Sequence, residues 1–250
     1  MSPEDPVKPA NTATAVNPVT GEPSLAPASA TTAASASSKP ETRNDDTKPV
    51  KPLHLLGVSG SLHDHSRSLQ ALRLLLNTAT ERGAEVRELD LREVELPLYR
   101  PDREGHATFG ERISTDMDWA DSVILSSPDY HGSMSGAMKN FLDYVWEECA
   151  GKLFGYLVAS HEKGLTVMDQ MRTAVRQCYG WSLPYGVSID GRADFDHEGN
   201  LTNKRVEQRL KMMARDLVVY GPLLRQQFES DVAGTEANTF AAAYRKSRTL

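Results

Sequence analysis

Apolar positions along this chain fall into regular periods only after about residue 52. Residues 53–59, LHLLGVS, are a short apolar run ending in glycine and serine, which predicts a buried strand. From Leu69 the period lengthens. Leu69, Leu72, Leu75 or Leu76, and Ala79 share one helical face, and Gly83 closes the run as a cap. Residues 85–91 alternate and predict a half-buried strand, whereas 96–105, with Pro97, Pro101 and Arg103, reads as loop. Phe109, Ile113 and Met117 recur every four residues and mark a second helix, followed by a third strand at 121–126. A helix over 136–148 turns Met138, Leu142, Val145 and Trp146 inward, with Phe141 beside them. A fourth strand spans 152–159. Leu165, Met168, Met171, Val175 and Cys178 then form a helical stripe that stops at Gly180, and 183–189 is a fifth strand. The last helix runs from about Thr202 to Leu224 on Val206, Leu210, Met213, Leu217, Tyr220 and Leu224. From Phe228 the pattern weakens, with a loose helix expected at 238–246.

Strand and helix alternate throughout, which predicts a doubly wound α/β domain: a parallel five-stranded sheet covered by helices on both faces. In such folds ligands bind beyond the carboxyl ends of the strands. Three polar loops follow strands, at 60–68, 128–136 and 160–164, so all three are expected at one end of the sheet.

Composition changes this picture mainly at the ends. The chain has 250 residues and a formal net charge of −6. Residues 1–51 are rich in Pro, Ala, Ser and Thr, nine of the 14 prolines lie at or before Pro52, and no Phe, Trp or Tyr precedes Tyr99. Such a segment buries too little apolar surface to offset its conformational entropy and reads as a disordered tail. It lacks the basic start and apolar core of a secretory signal, and its acidic residues argue against a transit peptide. The expected organisation is therefore a tail at 1–51, a domain at 52–226 and a weakly structured extension at 227–250. No apolar run is long enough to cross a bilayer, and the acidic balance without a basic stripe argues against nucleic acid. Cys149 and Cys178 form no metal or redox spacing and read as buried thiols of a reducing, cytoplasmic compartment.

The candidate chemistry lies in the loops. In the first, GSLHDHSRS, a helix start offers free N–H groups and the positive end of its dipole to an anion. Ser61, Ser66 and Ser68 add hydroxyls and Arg67 a full charge, which suits a phosphate monoester. Ser66 or Ser68 equally suits a helix cap, and both roles can hold at once. In the second, SSPDYHGSMSGAMKN at 126–140, Pro128 fixes φ, Gly132 and Gly136 leave room for close approach, and Tyr130 and His131 offer flat rings. A planar ligand with a polar edge fits such a loop. Other motifs fail. The third glycine of a dinucleotide fingerprint and the Gly-Lys-Ser/Thr of a P-loop are absent. Met134 stands where a nucleophile elbow needs serine. Asp194, Asp196, Glu198 and Gly199 mimic a calcium loop whose twelfth position would be Arg205, not glutamate. His63 and His65 flank Asp64, but no further ligand cluster accompanies them.

The strand–GSL–loop–SRS–helix pattern, together with SPDYHGSMSGAMKNFLDYV, resembles the NADPH-dependent FMN reductases, flavodoxin-like enzymes that include flavin, quinone, azo-dye and chromate reductases. The likeness spans about 53–224, and Pro128, Tyr130, Ser133, Gly136, Lys139 and Asn140 match P-x-Y-x-x-S-x-x-G-x-x-K-N. It implies strand order 2-1-3-4-5 and bound FMN, with NADPH (or NADH) as hydride donor and a small-molecule electron acceptor. It also implies a homodimer or homotetramer. Ser61, Ser66, Arg67 and Ser68 would hold the phosphate, with His63 beside them where many members carry arginine. Pro128, Asp129, Tyr130, His131 and Gly132 would line the isoalloxazine, and Ser160 and Gly164 would approach its far side. His131 and Asp129 stand where asparagine and glutamate are common. The resemblance assigns no general acid, nucleophile or metal.

Overall fold

The computed structural model describes residues 51–94, 96–102 and 106–247, with the side chains of 106–109 outside the description. The tail at 1–50, Arg103, Gly105 and the Phe109 side chain therefore lie outside the described residues. Five parallel strand positions make the sheet. In chain order they are β1 (His54–Ser59), β2 (Glu85–Asp90), β3 (Ser122–Tyr130), β5 (Leu153–Ala159) and a last position shared by β6 (Trp181–Ser182) and β7 (Val187–Ile189). The order is β2-β1-β3-β5-β6, with β7 also on β5. Counted by position, this is the expected 2-1-3-4-5 order. A two-residue strand, β4 (Ser133–Met134), pairs antiparallel with the end of β3.

Successive residues of each central strand feed different cores. Leu56, Val58, Val123, Leu125, Phe154 and Tyr156 pack with Ile113 and Met117 of α3 (His106–Trp119), Met138 and Phe141 of α4 (Gly136–Asp143) and Met171 of α5 (Leu165–Gln177). Leu55, Ile124, Leu153 and Leu157 pack on the other face with Leu72 and Leu75 of α1 (Arg67–Thr80) and Leu210 and Leu217 of α6 (Lys204–Ala233). This is the two-sided cover that the continuous apolar strands predict.

Several elements differ from the sequence reading. A short α2 (Leu91–Val94) follows β2 directly. The fifth strand is split. Trp181 and Ser182 pair with the start of β5 and Val187–Ile189 with its end, and Pro184, which has no N–H to donate, stands between them. The helix after the central motif ends at Asp143, and a 3-10 turn, Glu147–Cys149, follows. Trp146 is thereby 64% exposed instead of inward, while Val145 is buried. Leu165, at the start of its stripe, is also exposed. α6 continues through Pro222 to Ala233, and α7 (Phe240–Ser247) folds back on it. Within the segment read as weakly structured, residues 227–233 and 240–247 are thus helical, the second where a loose helix was expected. Phe228 stacks with Phe240, and Phe240 with Tyr179, at ring centroid distances of 6.0 and 4.4 Å. Cys149 and Cys178 are neighbours. Their contact raises the Cys149 thiol and lowers that of Cys178, which is only half-buried.

Candidate functional site

All three polar loops lie at the carboxyl end of the sheet. One cleft of about 310 Å³ gathers Ser61, His63, Ser66, Arg67 and Ser68 from the first, Pro128, Asp129 and Tyr130 from the second, and Ser160 from the third. Gly132 and Gly164 line a larger neighbouring cleft of about 870 Å³, which shares Asp129 and Ser160 with the first. Of the twelve residues expected at the site, only His131 lines neither cleft.

The first loop is held on both sides. Gly60 N–H donates to Ser126 O at 2.8 Å, and Ser135 Oγ donates to Gly60 O at 2.6 Å. A side chain at Gly60 would meet Met138 Cβ at 2.8 Å, so the close approach of α4 requires glycine there. Ser66 is the N-cap of α1, accepting from Leu69 N–H at 3.1 Å, and its hydroxyl lies 2.8 Å from that of Ser68. The N–H groups of Arg67 and Ser68 have no acceptor among the described residues. The cap uses the Ser66 hydroxyl and the Leu69 N–H, the Ser68 hydroxyl shares a hydrogen bond with that of Ser66, and the Arg67 and Ser68 N–H groups are left over, so capping does not preclude an anion here. Ser61, Ser66 and Ser68 are all buried.

The second loop is not the loop its glycine and proline content suggests. β3 continues through Pro128, Asp129 and Tyr130 and turns back into β4, with Asp129 opposite Met134 and Tyr130 opposite Ser133. The turn is His131–Gly132, with φ of 58° and 75°. Two successive residues with positive φ make the hairpin turn that matches strand twist. Gly132 supplies this backbone freely, whereas a Cβ at Gly136 would meet nothing, so crowding is not its reason. Tyr130 is exposed, and His131 stands at the exposed tip.

Asp129 joins the second and third loops. Its Oδ1 accepts from Gly132 N–H and its Oδ2 from Ser160 Oγ, both at 2.8 Å. Ser160 is fixed further by Ile189 O, which accepts its N–H at 2.9 Å. In the third loop, Glu162 N–H is taken by Ser160 Oγ, while the N–H groups of His161, Lys163 and Gly164 have no acceptor among the described residues. They sit at the N-terminus of α5, the positive end of its dipole.

His65, Ala159, His161 and Gly191, none of them assigned to the site by sequence reasoning, also line the smaller cleft. His161 Nδ1 lies 3.6 Å from Asp190 Oδ1. Donation from the N–H groups of Arg192 and Ala193 holds the Asp190 carboxyl below its ordinary range, helped by His161. His65 and His161 lie in the first and third polar loops and could have been named with them, whereas no local signal marks Gly191, which reaches the cleft only through the loop after β7.

The sequence profile of the NADPH-dependent FMN reductases matches residues 53–194. The chain is 32% identical over 144 residues to an NADPH azoreductase of Bacillus sp. (strain OY1-2), covering 55% of this chain and 80% of that protein. It is 25% identical over 190 residues to an NADPH:quinone oxidoreductase of Arabidopsis thaliana, covering 68% and 93%. Among solved structures, the flavoenzyme NAD(P)H:(acceptor) oxidoreductase FerB of Paracoccus denitrificans superposes with a TM-score of 0.58 at 18% identity, over 68% of this chain and 97% of that one. The matched residues run from β1 through the central motif to the strand ends that form the clefts, and they cover more than half of the sequence: the chain belongs to the NADPH-dependent FMN reductase family.

Proposed function

We propose that this chain is an FMN-dependent NAD(P)H oxidoreductase acting on a flavin, quinone, azo compound or similar small acceptor. We also propose that the smaller cleft holds the FMN. One observation carries the assignment: hydroxyl and N–H donors gather at one end of a cleft whose other wall is a rigid hairpin edge. The donor set fits a phosphate. Three buried serines, two free N–H groups and Arg67 converge on loop one, where the carboxylate of Asp64 is turned outward to Arg92 at 3.1 Å. When bound, FMN supplies the two-electron chemistry between NAD(P)H and acceptor, so the protein's task is to bind, orient and tune. Ser61, Ser66 and Ser68 hold the phosphate. Pro128 and Tyr130 present the hairpin edge to the ring. Asp129 fixes the distance between hairpin and third loop by bonding to both. The free N–H groups of His161, Lys163 and Gly164, at the positive end of α5, stabilise negative charge on the ring edge nearest them. Gly132 N–H does not share this role, because Asp129 occupies it.

The exposed faces of Trp146 and Trp181, 64% and 58% exposed, support a homo-oligomer, which sedimentation equilibrium tests directly. For the cofactor, the visible spectrum of the purified protein is the first test, and rapid NADPH oxidation separates a reductase from an electron carrier. Arg67→Ala is expected to weaken FMN binding by roughly one to two decades, with riboflavin, which lacks the phosphate, unchanged. Equal loss for the two flavins rejects the phosphate assignment.

A further inference from the structure

Arg67 is held by a segment far from it in sequence. Its Nη1 donates to Gln70 Oε1 at 2.8 Å, and its Nη2 points to Asp196 O at 3.4 Å. Its guanidinium carbon lies 5.4 Å from the centre of the Phe195 ring, and Phe195 is buried. Two glycines of the same segment make space for the side chain. A Cβ at Gly191 would sit 3.2 Å from Arg67 Cγ, and one at Gly199 would overlap Arg67 Nη1. No carboxylate pairs with Arg67 among the described residues, so its charge is not spent on a neighbour.

The segment between β7 and α6 is itself braced. Phe195 and Leu201 form an antiparallel bridge. Asp194 Oδ2 accepts from Asp190 N–H and Oδ1 from Asn203 Nδ2, both at 2.7 Å, while Asp196 Oδ1 accepts from Asn200 N–H at 2.7 Å. The acidic spacing that mimics a calcium loop thus serves to hold this arm in shape. Gly191 also lines the smaller cleft, which places the arm at its wall.

We propose that residues 190–203 are a positioning arm for Arg67, which aims a single unpaired guanidinium at the phosphate end of the cleft. The arm restricts a side chain with many rotamers, and ordering it in advance lowers the entropic cost of each contact to an anion. The proposal rests on loop one as the phosphate site. Gln70 and Phe195 are then positioning residues, and their effect should be confined to ligands that carry the phosphate.

The test is titration of FMN and riboflavin into the apoprotein of Phe195→Leu, Gln70→Met and Arg67→Ala, and of each arm variant combined with Arg67→Ala. Phe195→Leu keeps an apolar plug but loses the ring face, and Gln70→Met keeps length but loses the acceptor. Each is expected to raise the dissociation constant for FMN roughly three- to tenfold and to leave that for riboflavin unchanged. In the Arg67→Ala background neither should have any further effect, because the group they position is gone. Gln70 is half-buried on the helix outside the arm, so it keeps the test intact if Phe195→Leu fails to fold. Arm variants that leave FMN affinity unchanged while Arg67→Ala is phosphate-selective overturn the proposal alone. Arm variants that weaken both flavins alike, or add their full effect to Arg67→Ala, also overturn it. Arg67→Ala that weakens both flavins alike overturns the phosphate site and the proposal together.

Discussion

Lys152 shows how a single buried group sets a measurable pH dependence. It stands at the start of β5, 2% exposed, and its Nζ donates to Ala120 O at 2.6 Å. Burial, with Arg225 nearby, lowers its pKa from 10.5 to about 8. The folded value lies below the unfolded one, so between about pH 8 and 10.5 the unfolded chain binds more protons than the folded chain. Stability therefore rises with pH across that window, and the penalty for the buried charge is fully present below it. Between pH 8 and 10 the thermal midpoint of the wild type should gain on that of Lys152→Met, a difference in which the opposing effect of the raised Cys149 thiol cancels. Tyr156, raised to about 12 by burial, acts in the opposite direction and only above pH 10. An unchanged slope in Lys152→Met would mean that another group carries it.

At the scale of elements, the Lys-Asn end of the central motif has a structural explanation. Asn140, on α4, accepts from Tyr99 N–H at 2.8 Å and donates to Pro97 O at 2.9 Å. One amide thereby pins residues 96–99, which have no regular structure of their own, against the helix. Asn140→Leu strands a backbone donor and removes one partner of an acceptor, at a cost of about 2 kcal/mol. Denaturant titration should show the loss, and a change below about 0.5 kcal/mol would refute the pinning role. The β3–β4 hairpin permits a second test. Gly132→Val places a β-branched residue at φ of 75°, which costs on the order of 1–2 kcal/mol and should lower flavin content together with the thermal midpoint.

On the scale of the whole molecule, the two ends of the chain differ. Deleting residues 1–50 is expected to leave both thermal midpoint and flavin content unchanged, since that segment has no aromatic residue to dock. A fall in either would place part of the tail on the domain. Truncation after residue 226 should behave otherwise. Phe228 lies against Gly151, where a Cβ would overlap its ring, and it carries the stack with Phe240 and the edge contact with Tyr244 at 5.2 Å. Arg245 caps the end of α6 through Val232 O at 3.1 Å, among other carbonyls. Truncation deletes this aromatic cluster and removes the cover of the buried Gly151 and the stacking partner of Tyr179, so the truncated chain should melt earlier.

Periodicity determined most of the residues that face the two cores, though Trp146, Leu165 and Tyr220 of the expected stripes are exposed. Leu72, Leu75, Met171, Leu210 and Leu217 are all fully buried as their spacing predicts, because side-chain direction is a local property of helix and strand. The polar loops after β1, β3 and β5 were legible for the same reason, and parallel connectivity puts them at one end. Residue spacing does not report contacts between distant segments, and those decided the rest. Pro128, Asp129 and Tyr130 look like loop, yet pairing with Ser133 and Met134 makes them a hairpin edge. Trp146 fits an inward stripe, but α4 stops at Asp143 and leaves it outside. The grip of Phe195 and Asp196 on Arg67 joins residues 129 positions apart at its hydrogen bond. No local pattern records such an approach, because it exists only once both segments have packed on the same strand ends.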